Sequence, residues 1–206
     1  MISLPVQITE TTQAVRGQRQ GEWTAADWEA LSHDDGNRYE IIEGVLYVTT
    51  APSNFHQWIV LRLYRHFGVP AEDRGLGFAA IAQIGVFMKG ATPVQPDFLF
   101  IKTEHAAIIR DRRIFGVPDL VVEVMSPGSV DYDQGIKLEA YAAAGVPEYV
   151  VISPAERTVT HYRLIEPGRY HEGRVQRGSD IVAFDCLPGL EATADSLFAG
   201  APDTTL

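Results

Sequence analysis

The strongest constraint on the fold is one acidic residue inside an otherwise apolar run. Residues 120–125 read Leu-Val-Val-Glu-Val-Met. A run of this composition is typical of a central strand in a sheet that is covered on both faces. A carboxylate in such a strand is costly to bury unless it is paired with a cation or binds a metal ion. Glu123 therefore predicts either a metal site or a buried ion pair.

A second carboxylate and an amine suit the same chemistry. Asp97 follows Pro96 and opens the apolar run 97–101, and Lys137 comes shortly after Glu123 in the chain. Hydrolysis of a phosphodiester needs a divalent cation, and Mg²⁺ takes one or two carboxylates while keeping several waters. An amine nearby can orient the metal-bound water, lower its pKa or stabilise the transition state. These residues predict a hydrolase with Asp97 and Glu123 as ligands of Mg²⁺ or Mn²⁺ and Lys137 as the catalytic amine.

A purely structural interpretation stays open for each of these residues. Acids at strand ends often act as caps or face solvent. Lys137 also lies four residues after Asp133, the spacing of an ordinary ion pair on a helix surface. Glu123 is the exception, because either a metal site or a buried ion pair would place it beside Lys137.

Length and composition favour one α/β domain. We expect a polar, flexible arm over residues 1–20 and a single domain over residues 21–206, whose 46% hydrophobic content suffices for one core. No stretch approaches the roughly 18 to 20 apolar residues of a membrane span, and the N-terminus lacks a signal region, which predicts a cytoplasmic protein without a membrane partner. The single cysteine, Cys186, excludes an intramolecular disulfide and is expected in the core.

Net charge bears on the partner. A formal charge of -10 argues against a general nucleic-acid coat protein, which needs clustered lysine and arginine. It does not exclude a metal-dependent nuclease, whose active site is itself acidic.

The order of elements predicts a mixed β-sheet flanked by helices, with an N-terminal hairpin. A helix over 24–31 with Thr24 as its N-cap precedes a hairpin that turns at Glu43-Gly44. Later segments are an amphipathic helix over 53–67, one or two strands over 78–88, a strand over 94–101, a helix over 103–109 before an arginine-rich turn, strands over 119–125, 147–152, 159–164 and 181–184, a helix over about 130–144, and a weak C-terminal helix.

An ordered series of motifs carries a resemblance to a known family. The motifs are Tyr-Glu-Ile-Ile-Glu-Gly at 39–44, His56, Gln-Pro-Asp at 95–97, Pro-Asp-Leu-Val-Val-Glu-Val-Met-Ser-Pro at 118–127, Asp133, Lys137, Tyr141 and Ala-Gly-Val-Pro-Glu-Tyr at 144–149. Together they resemble the Uma2 family, which is placed in the PD-(D/E)xK nuclease superfamily with a restriction-endonuclease-like fold. The resemblance covers residues 22 to 190, roughly.

The resemblance implies a role for each matching residue. Asp97 matches the aspartate of the PD motif, and Glu123 matches the acid of the (D/E)xK motif. The superfamily lysine normally follows that acid by two places, where this chain has Met125. In the Uma2-like series the lysine has moved to the following helix, where it is Lys137.

Further residues match accessory positions. Glu40 or Glu43 resembles an additional acid that some members contribute from an early element. His56 matches a histidine near the start of the first long helix, where contact with substrate phosphate or a second metal is one expectation and a buried core histidine is the alternative. Tyr141 follows Lys137 by one helical turn and either orders the site or packs, and Ser126 either contacts the metal shell or caps a loop.

The resemblance thus implies a divalent-metal-dependent endonuclease acting on DNA, with a homodimer expected only by analogy with other nucleases of this fold. The alternative is a catalytically inactive nuclease-fold module that binds nucleic acid or a protein partner. Hydrolysis of a different phosphoester by the same residues also stays open.

Overall fold

The computed structural model describes residues 19–31, 37–49, 51–89, 91–111, 113–126 and 132–201. Nearly all of the predicted arm, and the first residues of the helix predicted over about 130–144, lie outside these ranges. Within them, no helix is long and apolar enough to cross a membrane.

Short helices alternate with many strands. The helical segments are α1 (Ala25–Ala30), α2 (Asn54–Leu63), α3 (Val69–Asp73), α4 (Lys137–Ala144) and α5 (Ala194–Phe198), with π-helical turns at Tyr64–Gly68 and Tyr132–Ile136 and a 3₁₀ helix at Thr103–Ile108. The strands are β1 (Arg38–Ile42), β2 (Val45–Thr49), β3 (Gly77–Ile81), β4 (Gly85–Met88), β5 (Ala91–Val94), β6 (Phe98–Lys102), β7 (Arg113–Phe115), β8 (Leu120–Val124), β9 (Glu148–Ser153), β10 (Thr158–Glu166), β11 (Arg169–Tyr170), β12 (Arg174–Arg177), β13 (Ile181–Ala183) and β14 (Glu191–Thr193).

The strands divide over two large sheets. The larger sheet has seven strands in the order β11-β10-β9-β8-β6-β3, with β12 also paired to β10, and the smaller has five in the order β2-β1-β5-β4-β7. Strands β8 and β9 run parallel, as do β4 and β7, while the other pairs in these two sheets are antiparallel. The predicted α/β class with a mixed sheet is confirmed.

Three apolar layers hold these sheets together. One face of the larger sheet, including Phe98 and Val122, packs against α2, α3 and α5. The opposite face, including Leu99 and Val121, packs against the smaller sheet and α4. The outer face of the smaller sheet is covered by α1 through Trp28. Side chains alternate between faces along a strand, so odd-numbered residues of β6 and β8 point into the middle layer.

The first elements match the local signals that predicted them. Thr24 caps α1 in a capping box with Asp27, as predicted. In the hairpin, Glu43 and Gly44 have φ values of 49° and 74°, which is the pattern of a type I′ turn. Gly44 is needed there twice over, because a Cβ would also lie 2.4 Å from the carbonyl oxygen of Gly21.

Other elements differ from the prediction. The strand predicted over 94–101 is interrupted, because Pro96 has no N–H to continue a ladder, and Asp97 lies between β5 and β6. The segment 103–109 is mostly a 3₁₀ helix. Part of the arginine-rich turn forms β7, which pairs with β4. Because that pairing joins distant segments, the local sequence does not reveal it.

Candidate active site

Strand register brings the two predicted metal ligands together. Phe98 pairs with Val122 across β6 and β8, so the next position along the pair sets Asp97 opposite Glu123. Directly opposite residues have Cβ atoms about 4.5–5.5 Å apart. Both acids are 2% exposed and belong to the odd-numbered set that faces the smaller sheet.

Asp97 is held from three sides. The backbone N–H of Val124 donates to Oδ2 over 2.8 Å, and Nη2 of Arg38 donates to Oδ1 over 2.7 Å. Nε2 of His56 lies 3.2 Å from the same Oδ1. Burial alone would raise the pKa of Asp97, but Arg38, His56 and Lys137 hold it well below the usual range. Asp97 is therefore ionised at neutral pH.

Glu123 receives two donors at one oxygen. Its Oε1 lies 2.9 Å from Nζ of Lys137 and accepts a hydrogen bond of 2.8 Å from the hydroxyl of Tyr141. Burial raises the pKa of Glu123 to about 8; Lys137 opposes this rise, and the nearby carboxylates, Asp97 foremost, add to it. The two adjacent acids thus have pKa values moved in opposite directions, which is common at functional sites.

Lys137 occupies the centre of an acidic cluster. Besides Glu123, its Nζ lies 3.0 Å from Oε2 of Glu40 and 3.8 Å from Oδ1 of Asp133. Burial alone would lower the pKa of Lys137, but these three carboxylates raise it. With 2% exposure, Lys137 is not part of an ion pair on a helix surface, and it stays protonated.

Glu40 rather than Glu43 joins the cluster. Oε1 of Glu40 accepts the backbone N–H of Gln95 over 2.7 Å, and Oε2 accepts the hydroxyl of Tyr132 over 3.1 Å. Glu43 lies exposed in the hairpin turn. Ser126 is half-buried two residues beyond the end of β8.

Three residues of the site were missed by the sequence reasoning as functional candidates: Arg38, Tyr132 and Asp133. Arg38 had a usable signal, because it lies two residues before Glu40 on β1 and so shares its face. Asp133 also had one, since it belongs to the motif series, but its spacing to Lys137 suggested a surface pair.

The cluster carries more negative than positive charge. Its acids are Glu40, Asp97, Glu123 and Asp133, and its permanent cations are Arg38 and Lys137. Counting each carboxylate as minus one and each cation as plus one gives these six described residues a formal charge of minus two, and the proton that Glu123 holds below about pH 8 offsets one of these charges. An excess of negative charge among these described residues is unfavourable in a buried site, and a divalent cation would offset it.

The chemistry of the donors fits a hard cation. Met125 donates its N–H to the carbonyl of Ile152 on β9. In a trans peptide the carbonyl points opposite to the N–H, so the Val124 carbonyl faces away from β9, on the side of Asp97. Asp97, Glu123 and this carbonyl offer the oxygen ligands that Mg²⁺ prefers.

Orphaned polar atoms nearby suit the waters that Mg²⁺ retains. Nδ1 of His56 and Oε1 of Gln95 are buried without a hydrogen-bond partner in the described part of the chain. The described residues hold no group of three or more His, Cys, Asp or Glu side chains that could bind a metal ion by themselves. Water molecules would therefore complete the coordination, as is usual for Mg²⁺.

Comparison with known proteins identifies the family. The model of the Uma2 family, described as "Putative restriction endonuclease", matches residues 25–195. The chain belongs to the Uma2 family. A crystal structure of a "putative nuclease belonging to DUF820" from Anabaena variabilis ATCC 29413 has a TM-score of 0.71 at 18% identity, covering 85% of this chain and 97% of that one. That likeness supports the fold. No curated protein matches the chain.

The Uma2 match covers all the residues of the cluster. Met125 stands two residues after Glu123, where the resemblance implies the superfamily lysine, and the amine beside Glu123 is that of Lys137, the first residue of α4. The resemblance stated from the sequence is thus confirmed at the level of family and fold.

Proposed function

We propose that this protein is a divalent-metal-dependent endonuclease that hydrolyses phosphodiester bonds in DNA. The observation that carries the proposal is the pair of adjacent buried carboxylates in a cluster of net negative charge, with an amine 2.9 Å from Glu123. Membership of a family whose description is a restriction endonuclease makes a nucleic acid the expected substrate.

Asp97, Glu123 and the Val124 carbonyl would hold the metal ion. When bound, Mg²⁺ or Mn²⁺ would supply a water of lowered pKa and neutralise charge on the phosphate. Tyr141 keeps Glu123 oriented through its hydrogen bond. Val124 orients Asp97 in the same way through its backbone N–H.

Lys137 would act by its charge. Because the surrounding acids raise its pKa against the effect of burial, it does not lose its proton near neutral pH and is unsuited to be a general base. A protonated amine in this position can orient the attacking water and stabilise the negative charge that develops on the phosphate. Its location on α4 rather than on β8 is compatible with that role, because the chemistry depends on where the amine lies.

A catalytically inactive binding module is the second candidate. The observation that favours it is the direct pairing of each predicted ligand with a protein cation: Lys137 with Glu123, and Arg38 with Asp97. In such a module the ion pairs would replace the metal ion and hold the fold together, and a nucleic acid or a protein partner would bind elsewhere on the surface.

Metal binding and cleavage together test the two candidates. Mn²⁺ binding is measured by electron paramagnetic resonance, and cleavage is measured on duplex DNA, single-stranded DNA and RNA. We expect one bound Mn²⁺ and metal-dependent cleavage of DNA in the wild type, with both lost in Glu123→Gln. Glu191→Gln, at an exposed position, is the matched control and should keep both. Cleavage that survives in Glu123→Gln would refute the mechanism, and absent Mn²⁺ binding in the wild type would favour the inactive module.

A further inference from the structure

We propose that Arg38 forms a phosphate-binding position beside the metal ligands, where its guanidinium holds the phosphodiester that is to be cleaved. This inference rests on the proposed function and names a substrate-binding residue for it. It starts from the contact of 2.7 Å between Arg38 and Asp97, which joins residues 59 positions apart.

Arg38 reaches the site from the smaller sheet. It is the first residue of β1, and Glu40 lies two residues further along the same strand. Residues two apart on a strand share a face, so both side chains point into the layer between the two sheets. The opposite face of β1, with Tyr39 and Ile41, packs in the cluster that contains Trp28 of α1.

Arg38 has the most open side chain of the cluster. Its side chain is 14% exposed, whereas those of Asp97 and Lys137 are 3% and 2% exposed. An approaching substrate therefore meets Arg38 before it meets the buried amine. Lys137 is already surrounded by carboxylates, which leaves Arg38 as the cation best placed to contact an incoming anion.

Most of the hydrogen-bonding capacity of Arg38 is unused. A guanidinium has five N–H donors in a planar fork, and the hydrogen bond to Asp97 uses a single nitrogen, Nη2. The Arg38 side chain donates no other hydrogen bond to the described residues. A planar fork beside a carboxylate that binds metal matches the geometry of a phosphate, which accepts two parallel hydrogen bonds from arginine.

The charges around Asp97 are a second reason to expect a phosphate beside Arg38. Arg38 donates to Oδ1 of Asp97, and Oδ2 already accepts the N–H of Val124. A cation bound to Oδ1 would therefore have the guanidinium as a neighbour of like charge. An anion shared by two neighbouring cations relieves their repulsion, and a phosphodiester is the anion that a nuclease brings to this place.

The test uses inorganic phosphate as the probe, with Mn²⁺ bound to the whole chain. A paramagnetic ion shortens the ³¹P relaxation time of any phosphate that binds beside it, so titration with phosphate gives its affinity without cleavage. Arg38→Gln is the test variant, because glutamine keeps an N–H donor for Asp97 but removes the charge and the fork. Arg163→Gln is the matched control, because Arg163 also contacts an aspartate at 2.7 Å, but its side chain is 38% exposed and it is distant in the chain from β1.

We expect Arg38→Gln to bind phosphate roughly tenfold to hundredfold more weakly than the wild type, the usual effect of losing a charged hydrogen bond. Its Mn²⁺ affinity should be unchanged or higher, because Asp97 loses a competing cation. Arg38→Lys, which keeps the charge without the fork, should be intermediate. If Arg38→Gln does not fold, Arg38→Lys decides: a several-fold loss supports the proposal and wild-type affinity overturns it.

The experiment distinguishes a failure of the role proposed for Arg38 from a failure of the proposed function. Phosphate affinity in Arg38→Gln within about twofold of the wild type, with Mn²⁺ bound, would overturn the role of Arg38 and leave the metal centre intact. A wild type whose bound Mn²⁺ does not affect phosphate would do the same. A wild type that binds no Mn²⁺ would overturn the proposed function, and the role of Arg38 with it.

Discussion

Glu123→Gln is predicted to stabilise the metal-free protein at alkaline pH. In the wild type, burial and neighbouring acids raise the pKa of Glu123 from 4.5 to about 8. The folded protein then binds a proton in this pH range that the unfolded chain does not hold. Stability from this group is fully present below pH 4.5, falls as the pH rises, and is lost above the folded pKa. Glutamine stays neutral throughout.

The size of the effect follows from the two pKa values. Each pH unit between them corresponds to about 1.4 kcal/mol, so an interval from 4.5 to about 8 gives at most about 5 kcal/mol. The substituted glutamine would retain an amide oxygen at the position that now accepts from Tyr141 and lies near Lys137, so the change removes charge with little change of shape. The advantage of the variant should be near zero at about pH 4 and largest near about pH 9.

Urea unfolding followed by circular dichroism, in chelator and at several pH values, measures this difference. Glu191→Gln is the control, because it removes a carboxylate at an exposed position and should change stability only slightly. The reasoning is refuted if Glu123→Gln is as stable as the wild type, or less stable, at about pH 9 without metal. Adding Mg²⁺ at about pH 8 should stabilise the wild type and leave the variant unchanged.

Three further changes test the neighbours of this glutamate and a second buried acid. Lys137→Met should lower the free energy of unfolding, measured in urea, by about 3–5 kcal/mol, because it leaves buried carboxylates without a cation. Lys102→Met is the control: the Lys102 side chain is 34% exposed, so the loss should be less than about 1 kcal/mol. Equal losses in the two variants would contradict the argument from burial. Tyr141→Phe should lower the free energy of unfolding by about 1–2 kcal/mol, because the hydrogen bond to Glu123 is lost. An unchanged midpoint of urea unfolding would refute this prediction. Burial alone would raise the pKa of Glu148, but a nearby histidine and two backbone N–H donors at 185–186 lower it. Its contribution is present above about pH 4.5 and lost at lower pH, so Glu148→Gln should destabilise at about pH 7 and approach the wild type in acid, as thermal unfolding would show.

The elements of the fold that could be predicted are those determined by residues close together in the chain. The capping box at Thr24 and the turn at Glu43-Gly44 depend on residues within four positions of one another, so pattern and turn chemistry suffice. The central strand β8 was predicted from its apolar run. The division of the strands into two sheets could not be predicted in this way, because it depends on pairs such as β7 with β4, which are distant in the chain.

Prediction of the site residues from the sequence is limited in the same way. Glu123 stands out in the sequence because a carboxylate is unusual in an apolar strand. Asp97 stands out because it matches the aspartate of the PD motif. Arg38 carries no such anomaly: an arginine at the start of a strand is ordinary. Its position two residues before Glu40 places it on the same face of β1, but only the packing of β1 against the larger sheet shows that it contacts Asp97.

The acidic cluster makes a net charge of -10 compatible with the proposed nuclease activity. Its unbalanced charge is unfavourable for folding, and proteins of this size have only about 5–15 kcal/mol of net stability. In the proposed function, the same imbalance would give affinity for a divalent cation, which would stabilise the folded state on binding. In the proposed function, DNA, which the net charge of the protein repels, would bind through the cation and through the partly exposed Arg38. Affinity for DNA should therefore fall sharply when the divalent cation is removed, and an affinity that does not depend on the cation would place the nucleic-acid surface elsewhere.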